Sequence, residues 1–95
     1  MVSGGCRGRV ERVLAGPLRR EPLNASALPV RFAVVRASER NLGLVHVGDA
    51  SIIASDPGLS PGRALGLRGG PTVDLSKVFA LADVGGDRLL IDFYV

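Results

Sequence analysis

The stretch that decides the fold is RLLIDFYV, residues 88–95. Its positions alternate, so one set of side chains faces one way and the intervening set faces the other: Leu89, Ile91, Phe93 and Val95 against Arg88, Leu90, Asp92 and Tyr94. A period of two residues with one mainly apolar face is typical of a β-strand on a hydrophobic core. The segment therefore predicts a half-buried strand.

An earlier stretch, PVRFAVVR at residues 29–36, has the same period. Strict alternation places Val30, Phe32 and Val34 on one face, and we expect Phe32 to lie in a core strand. Val35 then falls on the opposite, outward face. Shorter alternating runs occur at residues 44–47 and 63–68.

Turn signals separate these runs at intervals of about 8–12 residues, which is the signature of a sandwich or small barrel. They are Ala15-Gly-Pro, Arg40-Asn-Leu-Gly, Asp56-Pro-Gly, Ser60-Pro-Gly, Gly69-Gly-Pro and Val84-Gly-Gly-Asp. The sequence predicts an all-β fold, a small antiparallel β-sandwich or jelly-roll-like barrel of about seven to eight short strands. Helix is expected only at Asp74-Leu-Ser-Lys, as a single turn that Asp74 caps.

The domain prediction is a single β-sandwich domain over residues 10–95. Residues 1–9, rich in glycine and serine, are expected to form a flexible or partner-bound N-terminal arm. The first ten residues lack the apolar segment of a secretion signal, and no apolar run reaches the about 18–20 residues that span a membrane.

Charge is distributed unevenly along the 95 residues, whose net charge is +3. Residues 1–40 carry eight arginines and three glutamates, whereas residues 41–95 carry four cationic and six acidic side chains. The basic half favours an acidic partner, and its candidate docking residues are Arg7, Arg9, Arg12, Arg19 and Arg20. Nucleic-acid binders interleave aromatic side chains with basic ones, but Phe32 is the one aromatic here and is expected in the core, which argues against nucleic acid.

His46, Asp49 and Ser51 are the residues that most suggest catalysis. A catalytic triad needs side chains that converge from separate elements, whereas these three lie within six residues on one strand and turn. The single histidine and single cysteine match no zinc spacing, and Asp49, Asp56 and Asp74 are expected to accept turn hydrogen bonds rather than hold a cation. We expect no catalytic, cofactor or metal site, and a partly exposed His46.

Apolar residues on outward faces indicate an interface. Ile52 and Ile53 are adjacent, so one of them leaves the core face of an extended segment. Leu90 and Tyr94 fall opposite the apolar face of their strand. These four are the candidate oligomer interface, since a small domain with exposed apolar side chains often associates with copies of itself.

The order of the turn motifs resembles a module of small virion structural proteins of tailed bacteriophages. The matching segments are Val47-Gly48-Asp49, Ala54-Ser55, Leu59 with Pro61-Gly62, Asp74–Val78, Gly85-Gly86 and Leu89–Val95, preceded by Val30–Ala37 and Asn41-Leu-Gly. The likeness covers about two-thirds of the chain. His46 stands where the module commonly has tyrosine, and the first 28 residues have no counterpart in it.

This resemblance implies a non-enzymatic virion structural protein, foremost a capsid decoration or cement protein without a cofactor. The implied partners are the major capsid protein or other virion proteins and further copies of the chain, with a trimer favoured. The implied location is the virion head surface, after synthesis in the bacterial host cytoplasm. A tail, fibre or head-tail connector component is the alternative. From another class, a carbohydrate-binding module remains open, although such modules use aromatic platforms and this chain has one tyrosine and no tryptophan.

Overall fold

Two antiparallel sheets enclose the core in the computed structural model, which describes residues 7–95. The strands are β1 (Arg7–Val13), β2 (Glu21–Pro22), β3 (Pro29–Ala37), β4 (Val45–Gly48), β5 (Ala64–Asp74), β6 (Phe79–Ala82) and β7 (Arg88–Tyr94). The larger sheet has the order β1-β7-β3-β5 and the smaller one β2-β6-β4. The prediction of an all-β antiparallel sandwich is confirmed.

Strand β7 follows the predicted alternation. Leu89 and Ile91 are fully buried, and the half-buried Phe93 packs against the same core. The ring of Phe93 lies directly over Gly8, its partner on β1, where a side chain would collide with it. The core is completed by apolar side chains from both sheets and the connecting loops, namely Leu14, Leu23, Val30, Ala33, Val35, Ala37, Val45, Leu75, Ala80 and Ala82.

The predicted alternation of β3 is wrong from Phe32 onward, because the pairing of β3 with β5 shifts register. Val30 pairs with Val73 and Phe32 with Arg68, so two steps along β3 correspond to five along β5. Such a bulge inverts the side-chain parity of the residues that follow it. Val35, expected to face outward, is fully buried, whereas Phe32 and Val34 are half-exposed on the other side of the sheet.

The N-terminal boundary also differs from the expectation. Arg7 to Arg9 belong to β1, where Arg7 pairs with Tyr94 and Arg9 with Asp92 of β7. These three residues are therefore part of the larger sheet and not of an arm. Residues 1–6, the rest of the predicted arm, lie outside the described residues.

A single 3₁₀ turn, Leu75–Lys77, connects β5 to β6, as predicted. The Asp74 carboxylate accepts hydrogen bonds from the Ser76 backbone N–H at 2.9 Å and from the Ser76 hydroxyl at 2.8 Å. The same carboxylate oxygen accepts the Leu28 N–H at 3.0 Å. Asp74 thus caps the turn and fastens the start of β3 to it.

Two buried polar side chains, Asn41 and Asp87, join the β3–β4 turn to the start of β7. Asn41 donates to the Arg88 carbonyl at 2.9 Å and accepts the Arg88 N–H at 2.7 Å. The Asp87 carboxylate accepts the N–H groups of Leu42 at 3.0 Å and of Gly43 at 2.9 Å. These bonds satisfy backbone groups that the turn would otherwise leave without partners.

Adjacent alanine substitutions on β3 test the register shift. Val35→Ala removes fully buried methyl groups and is expected to lower the free energy of unfolding by about 1–3 kcal/mol. Val34→Ala, on the half-exposed side, is expected to lower it by less than about 1 kcal/mol. Urea denaturation of both variants gives the comparison, and a larger loss for Val34→Ala would contradict the register.

Asp74 makes an acid-dependent contribution to stability. The hydrogen bond from the Leu28 N–H, together with those from Ser76, lowers the pKa of Asp74 below the 3.8 of an unperturbed aspartate. A lowered folded-state pKa gives stability that is present above the unfolded pKa and is lost as the pH falls through the folded one. We expect the stability of Asp74→Asn to fall less steeply than that of the native chain as the pH drops below about 4. Equal slopes in thermal denaturation across that range would contradict this role.

Candidate functional site

The side of the larger sheet that faces away from the core is the first candidate surface. We call it the outer sheet face, and its side chains are those of Arg9, Glu11, Val13, Phe32, Val34, Arg36, Ala64, Arg68, Arg88, Leu90, Asp92 and Tyr94, with Gly66 among them. Alternation along each strand, counted from the register shift onward, places these residues on one side.

A row of one cation and two rings crosses three neighbouring strands of this face. Tyr94 of β7 pairs with Phe32 of β3, which in turn pairs with Arg68 of β5. The two ring centroids are 6.3 Å apart with an angle of 29° between the ring planes. The Arg68 guanidinium carbon lies 5.3 Å from the Phe32 ring centroid. This distance is in the range of a cation–π contact.

Next to this row, carboxylates and arginines pair across β1 and β7. The Arg9 Nε atom lies 2.7 Å from Asp92 Oδ1, and the Arg88 Nη1 atom lies 3.3 Å from Glu11 Oε1. The hydrogen bond to Asp92 raises the pKa of Arg9 above its ordinary value. Both carboxylates of the outer sheet face are thus engaged by arginines of the same face.

A second candidate surface is an apolar cleft of about 390 Å³ where the edges of β4 and β5 approach each other. We call it the edge cleft, and its lining residues are Val47, Ile52, Asp56, Pro57, Gly58, Leu59 and Leu65. Leu59 lies at one side of the cleft and pairs with Val45 in an isolated antiparallel β-bridge. The Val45 N–H donates to the Leu59 carbonyl at 3.0 Å, and the Leu59 N–H donates to the Val45 carbonyl at 2.8 Å. Leu65, at the open side, is 38% exposed.

His46 is buried behind the edge cleft, so the prediction of a partly exposed histidine is wrong. Its side chain is 1% exposed. Nδ1 lies 2.8 Å from the Asp56 carbonyl oxygen, and Nε2 lies 2.9 Å from Asp83 Oδ1. Each ring nitrogen therefore lies within hydrogen-bond distance of an acceptor oxygen of the protein. Both nitrogens are occupied by structural partners, which leaves neither to face a substrate.

Gly58 makes the burial of His46 possible. A Cβ atom at this position would lie 2.8 Å from both Cε1 and Nδ1 of the imidazole. This requirement is steric, because the ring occupies the space that any larger residue needs.

The other residues of the suspected triad do not approach His46 as catalytic partners. The Asp49 carboxylate accepts hydrogen bonds from the backbone N–H and hydroxyl of Ser51, and these lower the pKa of Asp49. The Asp56 carboxylate accepts the Ile53 N–H at 3.0 Å. Asp49, Asp56 and Asp74 all accept turn hydrogen bonds, as predicted.

The five arginines proposed for docking are not gathered on one surface. Arg9 lies on the outer sheet face, whereas Arg12 lies on the inner side of β1. The Arg12 Nη2 atom is 4.0 Å from Glu21 Oε1. Arg20 donates to the Ile52 carbonyl at 2.8 Å, and Arg19 is exposed in the same loop. Arg7 begins β1, and its side chain lies outside the described part of the chain.

The four apolar residues proposed as an oligomer interface divide between the two surfaces. Ile52 is buried in the edge cleft with 7% exposure, whereas its neighbour Ile53 is 47% exposed, so one of the pair leaves the core as expected. Ile52 itself is too buried to contribute a free surface. Leu90 and Tyr94 both lie on the outer sheet face with Asp92 between them, and Tyr94 is 40% exposed.

Within residues 7–95, no group of three or more His, Cys, Asp or Glu side chains is placed to hold a metal ion. No helix of that same part is long and apolar enough to cross a membrane. Comparisons of the chain with protein-family models, with curated proteins and with solved structures find no match.

Two features of these surfaces do not follow from the sequence pattern. Unbroken alternation through β3 places Phe32 in the core, so it does not predict the Tyr94–Phe32–Arg68 row. The signal for that bulge is Gly69-Gly70-Pro71 in β5, since glycine and proline in a strand mark irregular pairing. The burial of His46 depends on Asp83, which lies 37 residues away, and has no local signal.

Glycine substitutions test the packing of the edge cleft. Gly58→Ala is expected to lower the free energy of unfolding by about 1–3 kcal/mol, because the methyl group collides with His46. Gly66→Ala is the matched control, since its Cβ atom meets Phe32 at an ordinary 3.5 Å. Thermal denaturation compares the two, and equal stability would show that the imidazole lies elsewhere.

Proposed function

We propose that the chain is a non-enzymatic virion structural protein, foremost a capsid decoration or cement protein of a tailed bacteriophage. The proposal rests on what several polar side chains bind. His46, Asp49, Asp74 and Asp87 all hold turns and strand ends together, while apolar side chains are left exposed. A sandwich of this kind offers surfaces for binding rather than groups for chemistry.

The positions of the phage-like motifs support the same interpretation. Val47-Gly48-Asp49 spans the end of β4 at Gly48, Asp74–Val78 contains the 3₁₀ turn with its two caps, and Gly85-Gly86 lies in the turn before β7. These three segments therefore lie at strand ends and turns of the sandwich. This agrees with a shared structural module, in which the turns are common and the surfaces differ.

The edge cleft is the proposed contact with the shell or with a neighbouring copy of the chain. Leu65 is 38% exposed, and Ile53, on the loop that carries Ile52 into the cleft, is 47% exposed. An apolar surface of this kind is stabilised when a partner covers it. Association into a homo-oligomer, with a trimer favoured, would supplement the modest core of a 95-residue chain.

The experiment that tests the proposal is quantitative mass spectrometry of purified particles made from the genome that encodes the chain. A copy number comparable to that of the major capsid protein is expected for a decoration protein. A number matching one symmetric ring would favour the tail or connector alternative. Absence of the chain from the particles would overturn both assignments.

A charge substitution tests the edge cleft in the same particles. Leu65→Asp places a carboxylate at the mouth of the cleft and is expected to reduce occupancy on the shell by at least about tenfold. Leu42→Asp is the matched control, because Leu42 is 83% exposed on the turn between β3 and β4. Equal loss of occupancy in both variants, with both folded by circular dichroism, would contradict docking through the cleft.

A further inference from the structure

The outer sheet face has a property that the proposed function does not use. Its aromatic and cationic side chains lie side by side in one ordered row rather than at scattered positions. Tyr94, Phe32 and Arg68 are direct cross-strand partners on β7, β3 and β5. Because each residue is held by the sheet register and contacts its neighbour, the row is pre-organised before any ligand arrives.

Rings and guanidinium groups on an exposed sheet are the side chains that unpaired bases use. Bases of single strands stack on aromatic rings and on arginine planes, whereas bases in a duplex are not accessible in this way. Tyr94 is 40% exposed, and Arg68 is exposed at the edge strand. Arg68 and the two rings together therefore form a short stacking track.

The charge of the outer sheet face matches a polyanion. Glu11 and Asp92 are paired with Arg88 and Arg9. Arg36 and Arg68 add positive charge beyond these two pairs, so the face carries an excess of cations. A second copy of the chain would bring these like charges together, which disfavours a symmetric contact through this face.

Small residues of β5 leave room beside the row of Tyr94, Phe32 and Arg68. Between the start of β5 and Arg68, the residues of this strand on the outer sheet face are Ala64 and Gly66. Both positions are exposed, and a Cβ atom at Gly66 would meet the Phe32 ring only at ordinary distance. A strand lying across the face can therefore reach from Arg68 toward Arg36 without a bulky side chain in between.

We propose that the outer sheet face binds single-stranded nucleic acid, with bases stacked along Tyr94, Phe32 and Arg68 and phosphates near Arg36 and Arg68. An expected core position for Phe32 is what argues against nucleic acid in the sequence. The register shift instead places the Phe32 ring on the outer sheet face. This inference goes beyond the proposed function and does not depend on it.

The test is fluorescence anisotropy of labelled oligothymidine and oligouridine, each about 15 nucleotides long, at low salt, with protein to about 100 µM. Tyr94→Leu and Phe32→Leu are each expected to weaken binding by about tenfold. Arg68→Ala is expected to weaken binding and to reduce the salt dependence by about one counterion. The oligothymidine and oligouridine arms show whether the face prefers a DNA or an RNA single strand.

Arg19→Ala is the matched control, because it removes the same charge from an exposed loop outside the outer sheet face. It is expected to bind within about twofold of the native chain. Gly66→Glu tests the face without changing either ring, and it is expected to abolish binding. This variant still tests binding to the face if Phe32→Leu does not fold.

Three outcomes would overturn the inference. They are no binding of either oligonucleotide, unchanged binding by Tyr94→Leu and Gly66→Glu, or binding of heparin as tight as that of the oligonucleotides. The last would show attraction of any polyanion without stacking. The Leu65→Asp variant is expected to bind oligonucleotide normally, which separates this inference from docking through the edge cleft.

Discussion

The register shift between β3 and β5 determines both the core and the surface of the larger sheet. If the alternation that starts at Val30 continued unbroken, Phe32, Val34 and then Arg36 would point inward. An unpaired guanidinium in an apolar core is strongly unfavourable. With the shift, Ala33, Val35 and Ala37 are buried and Arg36 is exposed. The same bulge brings Phe32 into the row with Tyr94 and Arg68, so the contents of the core decide the composition of the outer sheet face.

The parts of the fold that could be predicted are those with a local signal. The alternation of β7, the Asp74 cap and five of the six turn signals depend on consecutive residues alone. The sixth turn signal, Gly69-Gly-Pro, was wrong, because these residues lie within β5. The parity of β3 could not be obtained in this way, because it depends on how many residues of β5 lie opposite Arg31. The environment of His46 depends on contacts ten and 37 residues away. The arginines predicted for docking share a region of sequence, but strand alternation and loops place Arg9, Arg12 and Arg20 on different sides of the fold.

The two candidate surfaces both depend on β5, the edge strand of the larger sheet. One side of β5 contributes Leu65 to the edge cleft, and the other contributes Arg68 and Gly66 to the outer sheet face. Because successive side chains of a strand point to opposite faces, the two surfaces can be altered independently. Docking to a shell and binding of single-stranded nucleic acid are therefore separate hypotheses that both involve β5. Variants of neighbouring residues on β5 distinguish them.

The most direct test of this account is a proton NOESY spectrum of the free protein, whose 9.9 kDa mass suits the method. With the shifted register, cross-peaks are expected from the Phe32 ring to the Tyr94 ring and to the Arg68 side chain. Cross-peaks from the Phe32 ring to the core residues Leu89 and Ile91 would contradict it. Such cross-peaks would show that Phe32 lies in the core. The outer sheet face would then lack the row of side chains that the proposed binding requires.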